Sequence, residues 1–292
     1  MDQEQFVQRT RGNRESRELI GRCILWGSFA CAAAVLCAIL WNVFAQGIGH
    51  LSFSFLTNFA SRFPEKAGIY PALVGTLWIA GLTALFAFPV GIGAAIYLEE
   101  YEQDSWYVRI IKLNIANLAG VPSILYGMLG LMVFAEALAM GRTIIAGSLT
   151  MALLVLPIVI TSSQEALKSV PRSYRDGALA LGASKGQTVV RVVLPAALPG
   201  IITGTIFAIA RVIGETAPMI AIAALVYLTF APNSPLSRFT VLPIQIYDWL
   251  SRPQQGFQDL AATGILVLLG VLALVNGTGI ILRALLQRKS EE

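Results

Sequence analysis

Charged residues are scarce in this chain. Asp, Glu, Lys and Arg make up 13% of the 292 residues, which is about half their share in soluble domains. Hydrophobic residues make up 56%, and the mean hydropathy is +0.69. So few polar side chains could not cover the surface of a water-soluble protein of this size. The composition excludes a soluble, disordered, collagen-like or coiled-coil protein and predicts an integral membrane protein.

Cysteine and histidine are also rare. The three cysteines, Cys23, Cys31 and Cys37, all lie in the first apolar segment, and the single histidine is His50. This pattern offers neither a disulfide framework nor metal-ligand spacing, so we expect no metal site. The net charge of +4 is explained by basic cytoplasmic loops, and we therefore expect no binding to nucleic acid.

Long apolar runs dominate the sequence. A transmembrane helix needs about 20 mostly apolar residues, and six segments meet this requirement. We therefore predict an all-α membrane protein of six transmembrane helices in contact with membrane lipid. The predicted spans are Cys23–Val43, Tyr70–Leu98, Ile115–Leu138, Thr143–Ser163, Gly200–Tyr227 and Leu260–Leu286.

The distribution of Lys and Arg predicts the orientation. With the N-terminus in the cytoplasm, fifteen of the 21 basic residues fall on the inner side, five fall on the outer side, and Arg211 lies within a span. This positive-inside bias places both termini in the cytoplasm. We expect a cytoplasmic segment 1–22, a membrane domain of six helices over 23–286 and a tail 287–292. The first helix is expected to be retained, since no convincing cleavage site follows it.

The inner loop 164–199 carries signals for two short helices. Ser173 followed by Asp176 is typical of a helix start, and Gly182 is expected to end that helix. Ser184 and Gln187 repeat the start signal for a second helix. From the residues alone, the loop is either a structured docking element or an amphipathic connector on the membrane surface.

A longer pattern favours the docking element. Asp176-Gly177-Ala178, three residues, Gly182, nine residues and Val192-Val193-Leu194-Pro195 resemble the EAA loop of bacterial ABC-importer permeases. Asp176, Gly177 and Val192 depart from that pattern, which has Glu, Ala and Ile there. The resemblance implies a coupling helix that docks on an ATP-binding subunit. The implied contact residues are Asp176, Gly177, Ala178, Leu181, Gly182, Leu194 and Pro195.

Three further stretches narrow the resemblance. They are Gly120–Gly127, Ala210–Pro218 and Leu242–Trp249. Together with six spans, they resemble the permease subunits of bacterial high-affinity phosphate importers of the PstA type. The resemblance implies a multi-pass protein of the bacterial inner membrane. It also implies a second permease subunit, two ATP-binding subunits and an extracytoplasmic phosphate-binding protein as partners.

The chain has no motif for ATP hydrolysis. A phosphate-binding loop needs the pattern G-x-x-x-x-G-K-[ST], and no stretch matches it. We expect a non-catalytic subunit that binds no cofactor, while the partner ATPase binds ATP and Mg²⁺.

Two charges lie well inside a predicted span. Arg211 is about 16 Å along the helix from Gly200, near the middle of a membrane core of about 30 Å, and Glu215 is four residues further on. Such charges are candidates for a substrate pathway, and the planar guanidinium suits phosphate. The alternative is a structural ion pair. Thr216, Ser123 and Tyr126 are further pathway candidates, with ordinary helix–helix hydrogen bonding as the alternative for the last two.

Other functions remain as alternatives. The same type of machine could carry another oxyanion, such as sulfate or molybdate. An ion-coupled secondary transporter would favour internal repeats, and none is convincing here. A membrane enzyme would need a nucleophile with its base, or a metal cluster, and the sequence offers neither.

Overall fold

The structure is a computed structural model that describes residues 3–102, 105–222 and 227–291. The described part is helical, and its helices are numbered along the chain. They are α1 (Gln3–Gly47), α2 (Phe53–Thr57), α3 (Tyr70–Ile96), α4 (Trp106–Ala119), α5 (Ser123–Gly130), α6 (Ile144–Ser169), α7 (Arg172–Ala180), α8 (Lys185–Thr188), α9 (Leu194–Gly214), α10 (Ala217–Ala221), α11 (Leu242–Leu250) and α12 (Gln255–Glu291). Short π-helical turns extend α3 over Tyr97–Tyr101, extend α5 over Leu131–Ala137 and join α8 to α9 over Val189–Val193.

Within these residues, five helices are long and apolar enough to cross a membrane: Ile20–His50, Tyr70–Tyr101, Ile144–Ser169, Lys185–Gly214 and Gln255–Leu285. A sixth crossing comes from α4 and the extended α5, which pass the same test together but meet at an angle of 97°. The prediction of six spans agrees with the structure when this bent pair counts as one span.

The main core lies where α3, α6 and α9 meet. Its buried side chains include Ile79, Met151, Val155 and Ile213, and Phe239 from the segment before α11 completes it. α6 is the central helix, since about two thirds of its most apolar window is buried. Close packing of these side chains gives the dispersion contacts that hold membrane helices together.

Two smaller clusters cap the core. One joins α2, α11 and α12 around Phe55, Trp249 and Phe257. The other joins the end of α3 to α6 and the start of α9, around Leu98, Leu167 and Ile201. The second cluster supports the segment between α6 and α8, where the predicted docking element lies.

α1 stands apart from the other helices. It packs on α12 near its C-terminal end, where the Thr263 hydroxyl donates a hydrogen bond of 2.9 Å to the Gly47 carbonyl. Trp26, Phe29 and Trp41 are exposed along it, as expected for a helix that faces lipid. α1 continues without a break through residue 22, and α12 continues through residue 286, so neither predicted boundary coincides with the end of a helix.

Two predicted spans need correction. The third was expected to be one helix from Ile115 to Leu138, but Gly120–Pro122 interrupts it. The fifth was expected to continue from Gly200 to Tyr227, but α9 ends at Gly214. Residues 223–226, near the predicted end of the fifth span, lie outside the described residues. Both interruptions fall in stretches that carry candidate pathway residues.

The predicted inner loop 164–199 is also largely helical. Residues 164–169 belong to α6, and residues 185–199 belong to the continuous helix formed by α8, the π-helical turn and α9. The second short helix was expected to end at Leu194-Pro195, but it continues into α9 through the π-helical turn, in which the Leu194 N–H donates to the Val189 carbonyl five residues earlier. The segment outside the long helices is therefore 170–184.

Candidate functional site

The first interruption is set by proline. Pro122 precedes the first residue of α5 and has an extended backbone, with φ −54° and ψ 129°. A proline donates no backbone hydrogen bond, and it disfavours helical geometry in the residue before it. α4 therefore stops at Ala119, and the chain turns sharply before Ser123, which is partly buried at the start of α5.

Tyr126 bridges this bend. Its hydroxyl donates a hydrogen bond of 2.8 Å to the carbonyl of Leu118, in the last turn of α4. The Leu118 carbonyl also accepts a hydrogen bond of 3.2 Å from the Val121 N–H, so the hydroxyl is a further donor to it from across the bend. The Tyr126 proton is thus engaged in holding the bend, while the oxygen can still accept a hydrogen bond.

The second interruption lies between α9 and α10. Pro218 is the second residue of α10, and it has no N–H to donate to the Gly214 carbonyl four residues earlier, which favours a break at this position. Glu215 accordingly has an extended backbone, with φ −80° and ψ 122°. Glu215 and Thr216 thus form the break itself.

The two interruptions lie side by side because of Gly127. A Cβ atom added to Gly127 would lie 2.6 Å from both the Cα atom and the carbonyl oxygen of Pro218. Only a glycine allows this close approach of α5 to α10. The structure thus packs Ser123–Gly127 against Ala217–Ala221, joining two stretches that are about 90 residues apart in the chain.

Arg211 and Glu215 form an ion pair at this place. The Arg211 Nε and Glu215 Oε2 atoms are 3.6 Å apart, and the side chains are 41% and 19% exposed. The expectation that both lie within one helix was wrong, since Arg211 is in the last turn of α9 and Glu215 follows its end. The position suits Arg211, because a cation is favoured at the C-terminal end of a helix.

The pair is open to another ligand. A guanidinium carries five N–H donors, and the single contact of 3.6 Å leaves most of them available. The five predicted pathway residues lie at the two neighbouring interruptions, Ser123 and Tyr126 on α5 and Arg211, Glu215 and Thr216 at the end of α9.

A second candidate surface lies at α7 and α8. α7 begins at Arg172 after Pro171, and no side chain caps it, so the predicted cap at Ser173 was wrong. Pro171 at the N-cap has an extended backbone, with φ −57° and ψ 142°. The predicted cap at Ser184 is confirmed, because its hydroxyl accepts a hydrogen bond from the Gln187 N–H while the Gln187 side chain accepts one from the Ser184 N–H.

Gly182 ends this part of the chain as predicted. Its φ is +84°, a left-handed conformation that glycine adopts at little cost. The Ala183 N–H donates to the Ala178 carbonyl, and the Gly182 N–H donates to the Leu179 carbonyl. This pair of hydrogen bonds is a Schellman motif, which closes a helix end and sets the direction of the chain beyond it.

Apolar side chains project from this polar end of the molecule. Leu181 is 91% exposed, and Tyr174 and Leu179 are at least half exposed. Asp176 and Gly177 are exposed beside them, whereas Ala178 is buried against the rest of the chain. An exposed apolar cluster of this kind typically marks a contact with another protein.

Leu194 and Pro195 do not join that surface. They lie about 14 Å further along the helix that begins at Lys185. Leu194 packs on the cluster around Leu167, and Pro195 is exposed. The seven predicted docking residues thus form one group of five on α7 and its C-terminal turn and a second group of two at the start of α9.

Sequence reasoning missed a charge network beside α7. Glu100, at the π-helical end of α3, accepts hydrogen bonds from Arg175 on α7, the shortest of them 2.6 Å. Hydrogen bonds to Glu100 raise the pKa of Arg175 above its usual value, although burial opposes this. Glu99 lies 3.4 Å from Lys112 and 3.7 Å from Lys168. The only sequence signal was the acidic pair that directly follows a long apolar run.

The connection between α3 and α4 also contacts α8. Glu102 accepts hydrogen bonds from the hydroxyls of Tyr107 and Tyr97, and these hydrogen bonds hold the pKa of Glu102 below its usual range. The Lys185 ammonium lies 5.3 Å from the centre of the Tyr101 ring, within the range of a cation–π interaction. Thus the ends of α3 and α6 and both short helices meet at one surface.

Comparison with known proteins identifies the family to which this chain is similar. The family model "Binding-protein-dependent transport system inner membrane component" matches residues 87–291. The chain is 33% identical over 285 residues to phosphate transport system permease protein PstA 1 of Mycobacterium tuberculosis, covering 94% of this chain and 91% of that protein. It is 35% identical to the probable ABC transporter permease protein YqgI of Bacillus subtilis over 75% of this chain and 76% of that protein.

A solved structure shows the same fold. The chain superposes on a bacterial alginate ABC transporter, in complex with a periplasmic protein bound to an alginate pentasaccharide, with a TM-score of 0.61 at 16% identity. The match covers 90% of this chain and 96% of that one. With 70% of its length in the family match, the chain belongs to the binding-protein-dependent transport system inner membrane components, the multi-pass permease subunits of ABC importers.

Proposed function

We propose that this chain is the permease subunit of an ATP-driven importer that moves inorganic phosphate across the cytoplasmic membrane. The substrate assignment draws on the PstA relatives, which are 33% identical or more over most of the chain. The observation on the chain itself that carries the proposal is the half-exposed Arg211 guanidinium at two adjoining helix interruptions.

The chemistry of that place suits a protonated oxyanion. Arg211 can donate two parallel hydrogen bonds to phosphate oxygens. Glu215, 3.6 Å from Arg211, repels a bare anion but can accept a hydrogen bond from a protonated phosphate oxygen. Sulfate near neutral pH carries no such proton. Glu215 in this role orients Arg211 and favours phosphate over sulfate, while Thr216 and the Ser123 hydroxyl supply further polar contacts along the path.

The energy comes from a separate subunit. The exposed apolar side chains at Tyr174, Leu179 and Leu181, together with Asp176, Gly177, Ala178 and Gly182, form the proposed contact with an ATP-binding subunit. This partner binds ATP and Mg²⁺, so the permease chain itself carries no catalytic site. Two such subunits, a second permease chain and an extracytoplasmic phosphate-binding protein complete the proposed importer.

The test is transport by the reconstituted complex. The chain is co-expressed with the second permease and the ATPase, purified and placed in proteoliposomes with the binding protein outside and MgATP inside. We expect ATP-dependent uptake of radiolabelled phosphate that excess sulfate or molybdate does not inhibit. Uptake of sulfate or molybdate in preference to phosphate would overturn the substrate assignment, and uptake driven by an ion gradient without ATP would overturn the mechanism.

A further inference from the structure

The attachment of α7 to the rest of the chain is unusually sparse. Ala178 is the one buried residue of α7, and the other described side chains of this helix are exposed or partly exposed. An open pocket of about 560 Å³ is lined by Arg172, Arg175 and Leu179 of α7 together with Glu99, Glu100 and Lys168 at the ends of α3 and α6. Close apolar packing therefore does not hold α7 against the ends of the membrane helices.

Arg175 spans the gap. Its Nη2 atom donates to the Glu100 carboxylate at 2.6 Å, and its Nε atom donates to the same carboxylate at 3.2 Å. Glu100 is 8% exposed and Arg175 20% exposed. A paired, largely buried geometry of this kind is stronger and more directional than a surface ion pair.

The same guanidinium also holds α6. Its Nη1 atom donates to the Val170 carbonyl at 2.7 Å, and Nη2 donates to the Leu167 carbonyl at 2.9 Å. Leu167 lies in the last turn of α6, where its carbonyl also accepts a hydrogen bond of 3.3 Å from the Val170 N–H, and Val170 follows the end of the helix. One side chain thus connects α7 to the ends of α3 and α6, the two helices that form most of the core.

We propose that Arg175, through Glu100 and the two carbonyls, is the positioning residue that transmits movement of α7 to α3 and α6. The inference rests on the proposed docking of an ATPase on α7. Without this link, movement of α7 would reach α3 and α6 only through the short connection after α6 and the contact at Ala178, so we expect the movement to be transmitted poorly. ATP hydrolysis would then continue without transport.

The first test measures hydrolysis and transport together. In Arg175→Gln and Glu100→Gln, we expect the ATPase to co-purify and basal hydrolysis to remain. Phosphate uptake, and the stimulation of hydrolysis by loaded binding protein, should each fall about tenfold or more, within the range of typical coupling between sites. Since both residues act through one link, the double variant should be no worse than Arg175→Gln alone.

Two controls separate geometry from charge. Arg172→Gln changes an exposed arginine of the same helix that makes no ion pair among the described residues, and it should leave uptake near normal. Arg175→Lys keeps the charge but cannot contact the carboxylate and both carbonyls at once, so uptake should stay low. Full uptake in Arg175→Lys or Arg175→Gln would overturn the proposal.

A cross-link tests the link without relying on the ion pair. Arg175→Cys and Glu100→Cys are combined in a chain whose Cys23, Cys31 and Cys37 are replaced by serine. A short bifunctional thiol reagent should restore uptake to this otherwise uncoupled complex, whereas a monofunctional reagent should not. Absence of recovery after complete cross-linking would overturn transmission through this link. Loss of the ATPase from the variants would show that Arg175 serves assembly and not transmission. If the unmodified complex itself fails to import phosphate, the proposed function fails independently of Arg175.

Discussion

The Tyr126 hydroxyl and the Leu118 carbonyl are joined by a hydrogen bond of 2.8 Å across the bend between α4 and α5. The two helices meet at 97°, and this hydrogen bond fixes the angle from the inside of the bend. The position of α5 against α10, and thus of Ser123 relative to Arg211, depends on that angle. Tyr126, a candidate pathway residue from the sequence, therefore has a structural role at this bend.

Tyr126→Phe removes that hydrogen bond and little else. The Leu118 carbonyl keeps the Val121 N–H as a donor, so we expect the variant to be less stable by about 0.5–1.5 kcal/mol, the net contribution of one hydrogen bond. Thermal unfolding of the purified complex in detergent measures the change. Tyr247→Phe is the matched control, because Tyr247 is exposed and its hydroxyl makes no hydrogen bond within the described residues. Equal unfolding temperatures for Tyr126→Phe and the unmodified protein would contradict the structural role.

Two glycines at α7 should respond in opposite ways. Gly177 lies within α7 with open space around its Cα atom, so Gly177→Ala should stabilise the helix by about 1 kcal/mol. The EAA pattern has Ala at this position of the proposed contact, so uptake should stay intact. Gly182 has a φ of +84°, which a side chain rarely adopts, so Gly182→Trp should distort the turn and place bulk at the docking surface. We expect Gly182→Trp to lose the ATPase or its coupling while still inserting into the membrane.

ATPase co-purification and phosphate uptake are measured for both glycine variants. Gly177→Ala serves as the control for expression and for the presence of a new side chain on the same helix. If Gly182→Trp retained normal co-purification and uptake, α7 and its C-terminal turn would not be the docking element.

The orientation of the chain is a separate prediction. The positive-inside bias places residues 170–184 in the cytoplasm and the segment before α11 outside. A reporter fused after Lys185 should therefore read cytoplasmic, and one fused after Ser234 should read extracytoplasmic. Alkaline phosphatase and fluorescent-protein fusions give complementary signals for this purpose. The reverse pair of signals would contradict both the orientation and the proposed access of the ATPase to α7.

Local signals in the sequence predicted much of the fold. The length of the apolar segments located the membrane helices, because a helix needs about 20 mostly apolar residues to span a bilayer. The cap at Ser184 and the left-handed turn at Gly182 were predictable because each depends on residues within five positions. The failures at Ile115–Leu138 and Gly200–Tyr227 have a common reason. Proline is tolerated within membrane helices, so Pro122 and Pro218 alone did not reveal whether the helix bends or ends.

Long-range contacts could not be predicted in the same way. Arg175 and Glu100 are 75 residues apart, and only the packing of α3 against α6 brings them together. Likewise, nothing in the sequence distinguishes Gly127 from the other glycines, and its role is visible only in its close contact with Pro218. The candidate pathway residues were named from the sequence, but their meeting at two adjacent interruptions is a property of the fold.

The last prediction concerns Arg211 and Glu215. If Arg211 binds phosphate, Arg211→Gln should abolish uptake while the complex still assembles and hydrolyses ATP, because a neutral amide cannot replace a guanidinium as an anion ligand. Glu215→Gln should also impair uptake, since Arg211 would lose the carboxylate that orients it. A structural pair predicts otherwise. Each single change would then leave a partly buried charge without its partner, which destabilises the protein, and assembly should fail.

A double variant decides between these outcomes. Arg211→Met with Glu215→Leu removes both charges and keeps the side chains of similar size, so a structural pair is replaced without an unpaired charge. Assembly, ATP hydrolysis and phosphate uptake are measured for this variant and for both single variants. The pathway role predicts a complex that assembles but does not transport. Uptake recovered in the double variant would end that role, because no ligand for phosphate would remain at either position.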